Sequence, residues 1–391
     1  MPLYLSVFVA VLGFSLVAPI FPLYALGLGA SYTMLGIIIS VYGGIQLITQ
    51  VPIGRLSDRT GRKLILMLGL LTFTIMPPLY IYATNAYELI IIRLVGGIGA
   101  SAVWPLAMAL IIERVDPLKR GRAMGWYNAA FYSAVAVGPA IGGGLYDMFG
   151  LAAPFYFWAA LGLASAVIVL AWVKEPSRRE ILTKEESIRP KENMILPGFT
   201  PTFVSCCSMV MWTGVIGGFN FTMLPSFAKG LGLSTIEVGL IYLAYAGCMS
   251  ISNVHFGGMA DRGRRKALMA GGCLLGAVSF ALLLKAGSIV PVLLLFSILG
   301  MGVGMSNPAA AAMIADTTCT SRRGEIFGIF NTSRMMGVVI GPLIAGATAD
   351  VYGVNGAISS FVVIAAVITL ASMAIKEPTA GPVCTESDKN S

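Results

Sequence analysis

Two copies of one charged turn, each set between long apolar runs, constrain this chain more than any other feature. The first is Gly54-Arg55-Leu56-Ser57-Asp58-Arg59-Thr60-Gly61-Arg62-Lys63, and the second is Gly257-Gly258-Met259-Ala260-Asp261-Arg262-Gly263-Arg264-Arg265-Lys266. Their offset, 257 − 54 = 203, recurs along the chain. Pro22 matches Pro225, Gly97 matches Gly300, Gly99 matches Gly302, Pro105 matches Pro308, Asn128 matches Asn331, and Gly138-Pro139 matches Gly341-Pro342. The chain is therefore a duplication in which each half repeats the same order of elements.

The runs between the charges are those of a polytopic membrane protein. Hydrophobic residues make up 57% and charged residues 11%, against roughly 25% charged in a soluble domain. With about 20 residues needed per crossing, spans are expected at about 3–27, 32–56, 64–83, 87–113, 122–147 and 151–174, then at 200–229, 235–260, 266–286, 290–316, 323–349 and 354–376. The first is expected to be a helix rather than a cleaved signal peptide. The expected domains are a six-helix half at 1–174, a charged, proline-punctuated linker at 175–199, a second six-helix half at 200–376 and a polar tail at 377–391.

The net charge of +8 is a topology signal. With a cytoplasmic N-terminus, the loops, linker and tail on the inner side collect the Lys and Arg residues. Only Lys229 and Lys285 fall outside, while Arg93 and Arg334 lie within spans. This is the positive-inside pattern, and it removes any reason to invoke nucleic acid. The expected location is the cell membrane, with both termini cytoplasmic. The six cysteines show no metal-ligand spacing and mostly lie in apolar runs, as small core residues do. No nucleophile–base constellation or phosphate-binding loop appears, so neither an enzyme nor a cofactor or metal is expected.

The charged turn resembles the G-x-x-x-D-R-x-G-R-K loop between the second and third helices of major facilitator superfamily transporters. The fourth span carries Arg93-Leu94-Val95-Gly96-Gly97-Ile98-Gly99, similar to the R-x-x-x-G-x-G pattern of proton-coupled members. The fifth carries Gly138-Pro139-Ala140-Ile141-Gly142-Gly143, similar to the G-P-x-x-G-G motif of the drug/proton antiporter branch, with a weaker copy at Gly341-Pro342-Leu343-Ile344-Ala345-Gly346 in the eleventh. The resemblance implies an all-α fold of twelve transmembrane helices, two six-helix pseudo-repeats around a central cavity, and alternating access driven by a gradient, with protons as coupling ion and a monomer as the working unit. It ties Arg93 to coupling; snorkelling to the membrane surface is the competing reading. It also implies a conformational latch of Gly54, Asp58, Arg59, Arg62 and Glu113, repeated as Gly257, Asp261, Arg262 and Asp316. Asp58 would meet the start of the eleventh helix near Gly324 and Asp261 the start of the fifth near Gly121, where helix dipoles favour an anion. The two glycines would let helices approach closely.

One departure from that branch bears on substrate. Every Asp and Glu sits at a loop or helix end, so no carboxylate is expected in the membrane core, and Arg334 lies near the middle of the eleventh span. The cavity is expected to be neutral to positive. Candidate substrate-binding groups are Arg334, Asn331, Asn128, Gln46, Asn220, Asn307 and Tyr245, with Asn253 behind them and Tyr127, Tyr132, Trp104 and Phe21 as possible aromatic walls. Drug or metabolite efflux leads. An organic-anion or phosphate-ester carrier using Arg334 and Arg93 comes second, and a non-transporting membrane receptor is a remote third.

Overall fold

In hydrocarbon a backbone must satisfy its own N–H and C=O groups, and the apolar runs do so as helices. The computed structural model describes residues 2–115, 119–173, 201–260, 262–317 and 323–373, with no strand among them. The expected linker and tail lie outside the described residues. The helices are α1 Pro2–Leu16, α2 Phe21–Gly27, α3 Tyr32–Thr60, α4 Arg62–Ile81, α5 Ala86–Glu113, α6 Arg120–Phe149 and α7 Ala152–Trp172, then α8 Pro201–Gly230, α9 Thr235–Ala260, α10 Arg265–Leu283, α11 Ile289–Thr317 and α12 Arg323–Met373. Among the described residues, eleven helices are long and apolar enough to cross a membrane.

Two boundaries differ from the sequence expectation. The first span is broken, with α1 ending at Leu16 and α2 starting at Phe21; Pro22 sits in the first turn of α2, where its missing N–H costs nothing. The second span runs on to Thr60, so Gly54, Asp58 and Arg59 belong to the last turns of a helix, and the turn itself is Gly61 at φ 108°. The eleventh and twelfth expected spans both lie in α12 and are divided at Gly353, where φ is 72°. The Ser360 hydroxyl lies 3.5 Å from the Thr348 hydroxyl. Twelve residues of straight helix would separate them by about 18 Å, so the chain folds back at this glycine.

The two halves meet along two seams that copy each other. In one, α3 lies on α12: a Cβ added to Gly36 would strike the backbone of Pro342 and Leu343, and one added to Gly346 would strike Tyr32 and Thr33. In the other, α9 lies on α6: a Cβ on Gly239 would come within 2.5 Å of the Pro139 carbonyl oxygen and the Ala140 Cα, and one on Gly143 would strike Thr235 and Ile236. The offset maps one seam onto the other with the halves exchanged, since 36 + 203 = 239 and 139 + 203 = 342. The Ser40 hydroxyl donates 2.6 Å to the Val339 carbonyl across the first seam. Small residues replace side chains with backbone contact, which is how helices associate where lipid gives no hydrophobic drive.

All these contacts lie toward the end of the bundle away from the charged turns. At the charged end, a Cβ on Gly54 would meet nothing within 4 Å, and one on Gly257 would meet only Pro308 Cβ at 3.8 Å. The close approach expected at these two glycines is therefore absent in this conformation. Gly239→Leu is expected to lower stability by about 1–3 kcal/mol through overpacking, whereas Gly54→Ala leaves it unchanged or slightly raised. Thermal unfolding of the detergent-purified variants, followed by size-exclusion recovery, checks both.

Candidate functional site

Arg93 is the largest fully buried side chain, 1% exposed. Its guanidinium carbon sits 3.8 Å from the centroid of Phe21, 5.4 Å from Tyr42, 5.7 Å from Tyr80 and 5.7 Å from Phe221. Phe14 stacks on Tyr42 at 5.2 Å and on Phe221 at 6.3 Å. Because Phe221 comes from α8, this cage joins the two halves. Nε and Nη2 of Arg93 and the Tyr42 hydroxyl are buried without hydrogen-bond partners. Snorkelling is thereby excluded: the cation is held by π faces, worth about 2 kcal/mol when desolvated, while its donors stay available. The glycines that follow it have packing roles. A Cβ on Gly97 would strike Tyr42 and Ile45 of α3, and one on Gly99 would strike Thr72 of α4.

The other polar candidates are scattered through the spans. Arg334 donates to the side chain of Asn331 at 3.2 Å. Asn307 accepts from the Thr213 hydroxyl at 3.2 Å. Asn220 is 3% exposed; its carbonyl accepts from the Tyr242 hydroxyl at 2.7 Å, yet both polar atoms of its side chain are buried without a partner. Gln46 and Asn253 are half-buried and Asn128 is exposed. Tyr245 packs edge-on to Phe296 at 6.5 Å and lies close enough to Tyr132, from the other half, to interact with it. Tyr127 donates to the Trp104 carbonyl at 3.3 Å, and Phe131 lies edge-on to Trp104 at 5.8 Å. Aromatic faces from both halves thus line the joint. Of the polar candidates, Arg334 and Asn331 bond each other, and Arg93 stands apart in its cage.

At the charged end, Arg62 binds Asp58 at 2.9 Å and also pairs with Glu113. In the second half Arg265 pairs with Asp316 at 2.6 Å, and 62 + 203 = 265 and 113 + 203 = 316. Arg262, the repeat copy of Arg59, sits in an exposed turn, and the repeat copy of Arg62 is Arg265. Arg59 is exposed and makes no ion pair with this group. Asp58 turns back onto Arg62 instead of reaching α12, and its side chain is 40% exposed. Asp261 lies outside the described residues.

The glycine–proline motif divides its work. A Cβ on Gly138 would strike Ser15 and one on Gly142 the Leu16 backbone, both in the same half, while Pro139 and Gly143 face α9. Likewise Gly341 faces the Val215 backbone of its own half, while the Pro342 backbone faces Gly36 of the other. Each motif packs its helix on both halves at once.

The sequence pattern of the Major Facilitator Superfamily matches residues 3–235 and 201–387. An uncharacterised transporter of this type from Methanocaldococcus jannaschii is 27% identical over 359 residues, covering 90% of this chain and 91% of its own. The quinolone resistance protein NorA of Staphylococcus aureus is 26% identical over 370 residues, covering 90% and 89%. Among solved structures, a bacterial homologue of the human lysosomal transporter Spinster, crystallised inward-facing and occupied, superposes with a TM-score of 0.81 at 15% identity, covering 95% of this chain and 94% of that one.

A buried cation set among π faces predicts a separation of function from stability. Arg93→Met is expected to keep or raise thermal stability, since it replaces a desolvated charge by an apolar chain, while reducing transport at least about tenfold, a loss of about 1.4 kcal/mol. Lower stability with unchanged flux would reduce Arg93 to a structural residue. Parallel unfolding and flux measurements decide it.

Proposed function

The chain belongs to the Major Facilitator Superfamily, and from that premise we propose that this transporter is a twelve-span secondary exporter that moves a lipophilic drug or metabolite out of the cell in exchange for protons. The observation that carries this reading is the asymmetry of the joint. Backbone-to-backbone seams close the end away from the charged turns, while Gly54 and Asp58 at the charged end stand open. If the basic turns face the cytoplasm, the joint opens inward, as one state of an alternating-access cycle requires. The fold-back at Gly353 supplies the twelfth crossing, and both termini then lie in the cytoplasm.

An exporter of lipophilic molecules is supported by the aromatic groups that line the joint from both halves, and by the resistance functions named for the relatives in Staphylococcus aureus and Bacillus subtilis. Parallel repeats about an axis along the membrane normal put a binding site near the midplane between them. The latch reading is supported by the ion pairs at the charged end, Asp58, Arg62 and Glu113 within the first half and Arg265 with Asp316 within the second, which fix the charged turns that would meet the other half when that end closes. Pairs with a carboxylate open to water, as at Asp58 and Asp316, are worth only about 0–1 kcal/mol, a size that biases an equilibrium without freezing it.

A second reading, an organic-anion carrier, is favoured by one observation: the partnerless donors of Arg93. Purified protein in liposomes under an imposed pH gradient separates the two. The exporter reading expects a lipophilic cationic dye to move and to stop when the gradient is collapsed. Indifference to the dye, with anion flux lost in Arg334→Ala, would establish the anion carrier, and a ligand bound but never translocated would establish a receptor.

A further inference from the structure

We propose that Asp147 and Asp350 form a two-fold lock that holds the joint shut at the end opposite the charged turns, each carboxylate capping the first turn of a helix in the other half. Asp350, near the fold-back in α12, accepts from the backbone N–H groups of Tyr32 and Thr33 at 2.8 Å each. These are the first residues of α3. Asp147, near the end of α6, accepts from the backbone N–H of Ile236 at 3.0 Å, the second residue of α9. The two contacts are repeat copies: 147 + 203 = 350 and 33 + 203 = 236. Two chance surface contacts would have no reason to share donor and acceptor positions across the duplication.

The chemistry suits a lock. The first N–H groups of a helix lack intrahelical partners and carry the positive end of its dipole, so a carboxylate there makes charge-assisted bonds. Here donor and acceptor sit on different halves, and rocking the halves apart at this end must break both caps together. Glycine contact along each seam, at Gly346 and Gly143, brings the helices near enough for a short aspartate to reach. The copies differ in strength. Asp350 takes two N–H groups, and hydroxyls of Ser31 and Thr33 also reach it, whereas Asp147 takes one. Asp147 also borders a cleft of about 480 Å³ that Lys229 and Tyr146 share, so water can replace its bond as the seam parts. Of the pair, Asp350 is the stronger clasp and Asp147 the weaker.

The lock lies at the opposite end from the Asp58 and Arg62 group, and its acceptors bind backbone instead of arginine. It rests on the alternating-access reading for its consequence but not for its geometry.

The test places spin labels at Tyr87→Cys and Val290→Cys, exposed and repeat-equivalent because 87 + 203 = 290, in the full chain with its native cysteines replaced. Distances between them are measured in nanodiscs by double electron–electron resonance. With Asp350→Ala the ratio of separated to closed halves at this end is expected to rise about tenfold, the usual size of a lost cap, with Asp147→Ala to rise less, and with both together by about the product. Asp350→Asn, which keeps an acceptor but not the charge, is expected to fall between wild type and Asp350→Ala and serves if the alanine variant folds poorly. An unchanged distribution in both folded single variants, or a shift toward the closed form, would overturn the lock. If the variants open this end while the protein carries nothing in liposomes, the lock stands and the transport reading fails.

Discussion

Everything here depends on helices from opposite halves touching backbone to backbone with no side chain between them. Gly36 against Pro342 and Gly239 against Pro139 set the distance at which α3 meets α12 and α9 meets α6. In lipid there is no water to expel from between helices, so packing and short polar bonds must hold them. At this separation a serine hydroxyl on α3 reaches a carbonyl on α12 and an aspartate reaches a helix N-terminus. A packed seam is also bistable rather than elastic: it is either seated or parted.

The Arg93 cage is placed by the same geometry. Phe21, Tyr42 and Tyr80 come from the first half and Phe221 from the second, and Phe14 stacks against both sides. The surroundings of this buried cation are therefore built from both halves.

Much of this was legible in the sequence, and for identifiable reasons. Apolar length gave the helices, and the 203-residue offset exposed the duplication. The same offset, applied to Arg62, points to Arg265, and applied to Asp147, points to Asp350. Arg93 was legible because a cation inside an apolar run needs a reason. What stayed hidden was contact between distant segments. Nothing local at Phe221 marks it as a neighbour of Arg93, and nothing at Gly36 names Pro342. At Gly54 the expected close approach is not made in this conformation, and nothing local to the residue tells which conformation would use its space. The break between the spans at 323–349 and 354–376 was legible, and Gly353 is where α12 folds back.

The proposal to be tested is that the charged end opens and closes as part of one cycle. The direct measurement is the distance across that end between labels at Thr60→Cys and Arg264→Cys, both at exposed positions, in reconstituted, transport-competent protein. Two distances whose ratio moves when a pH gradient or a transported dye is applied are expected, with the shorter one matching closure of Gly54 against its neighbours. A single long distance under every condition, in protein that still transports, would contradict the account.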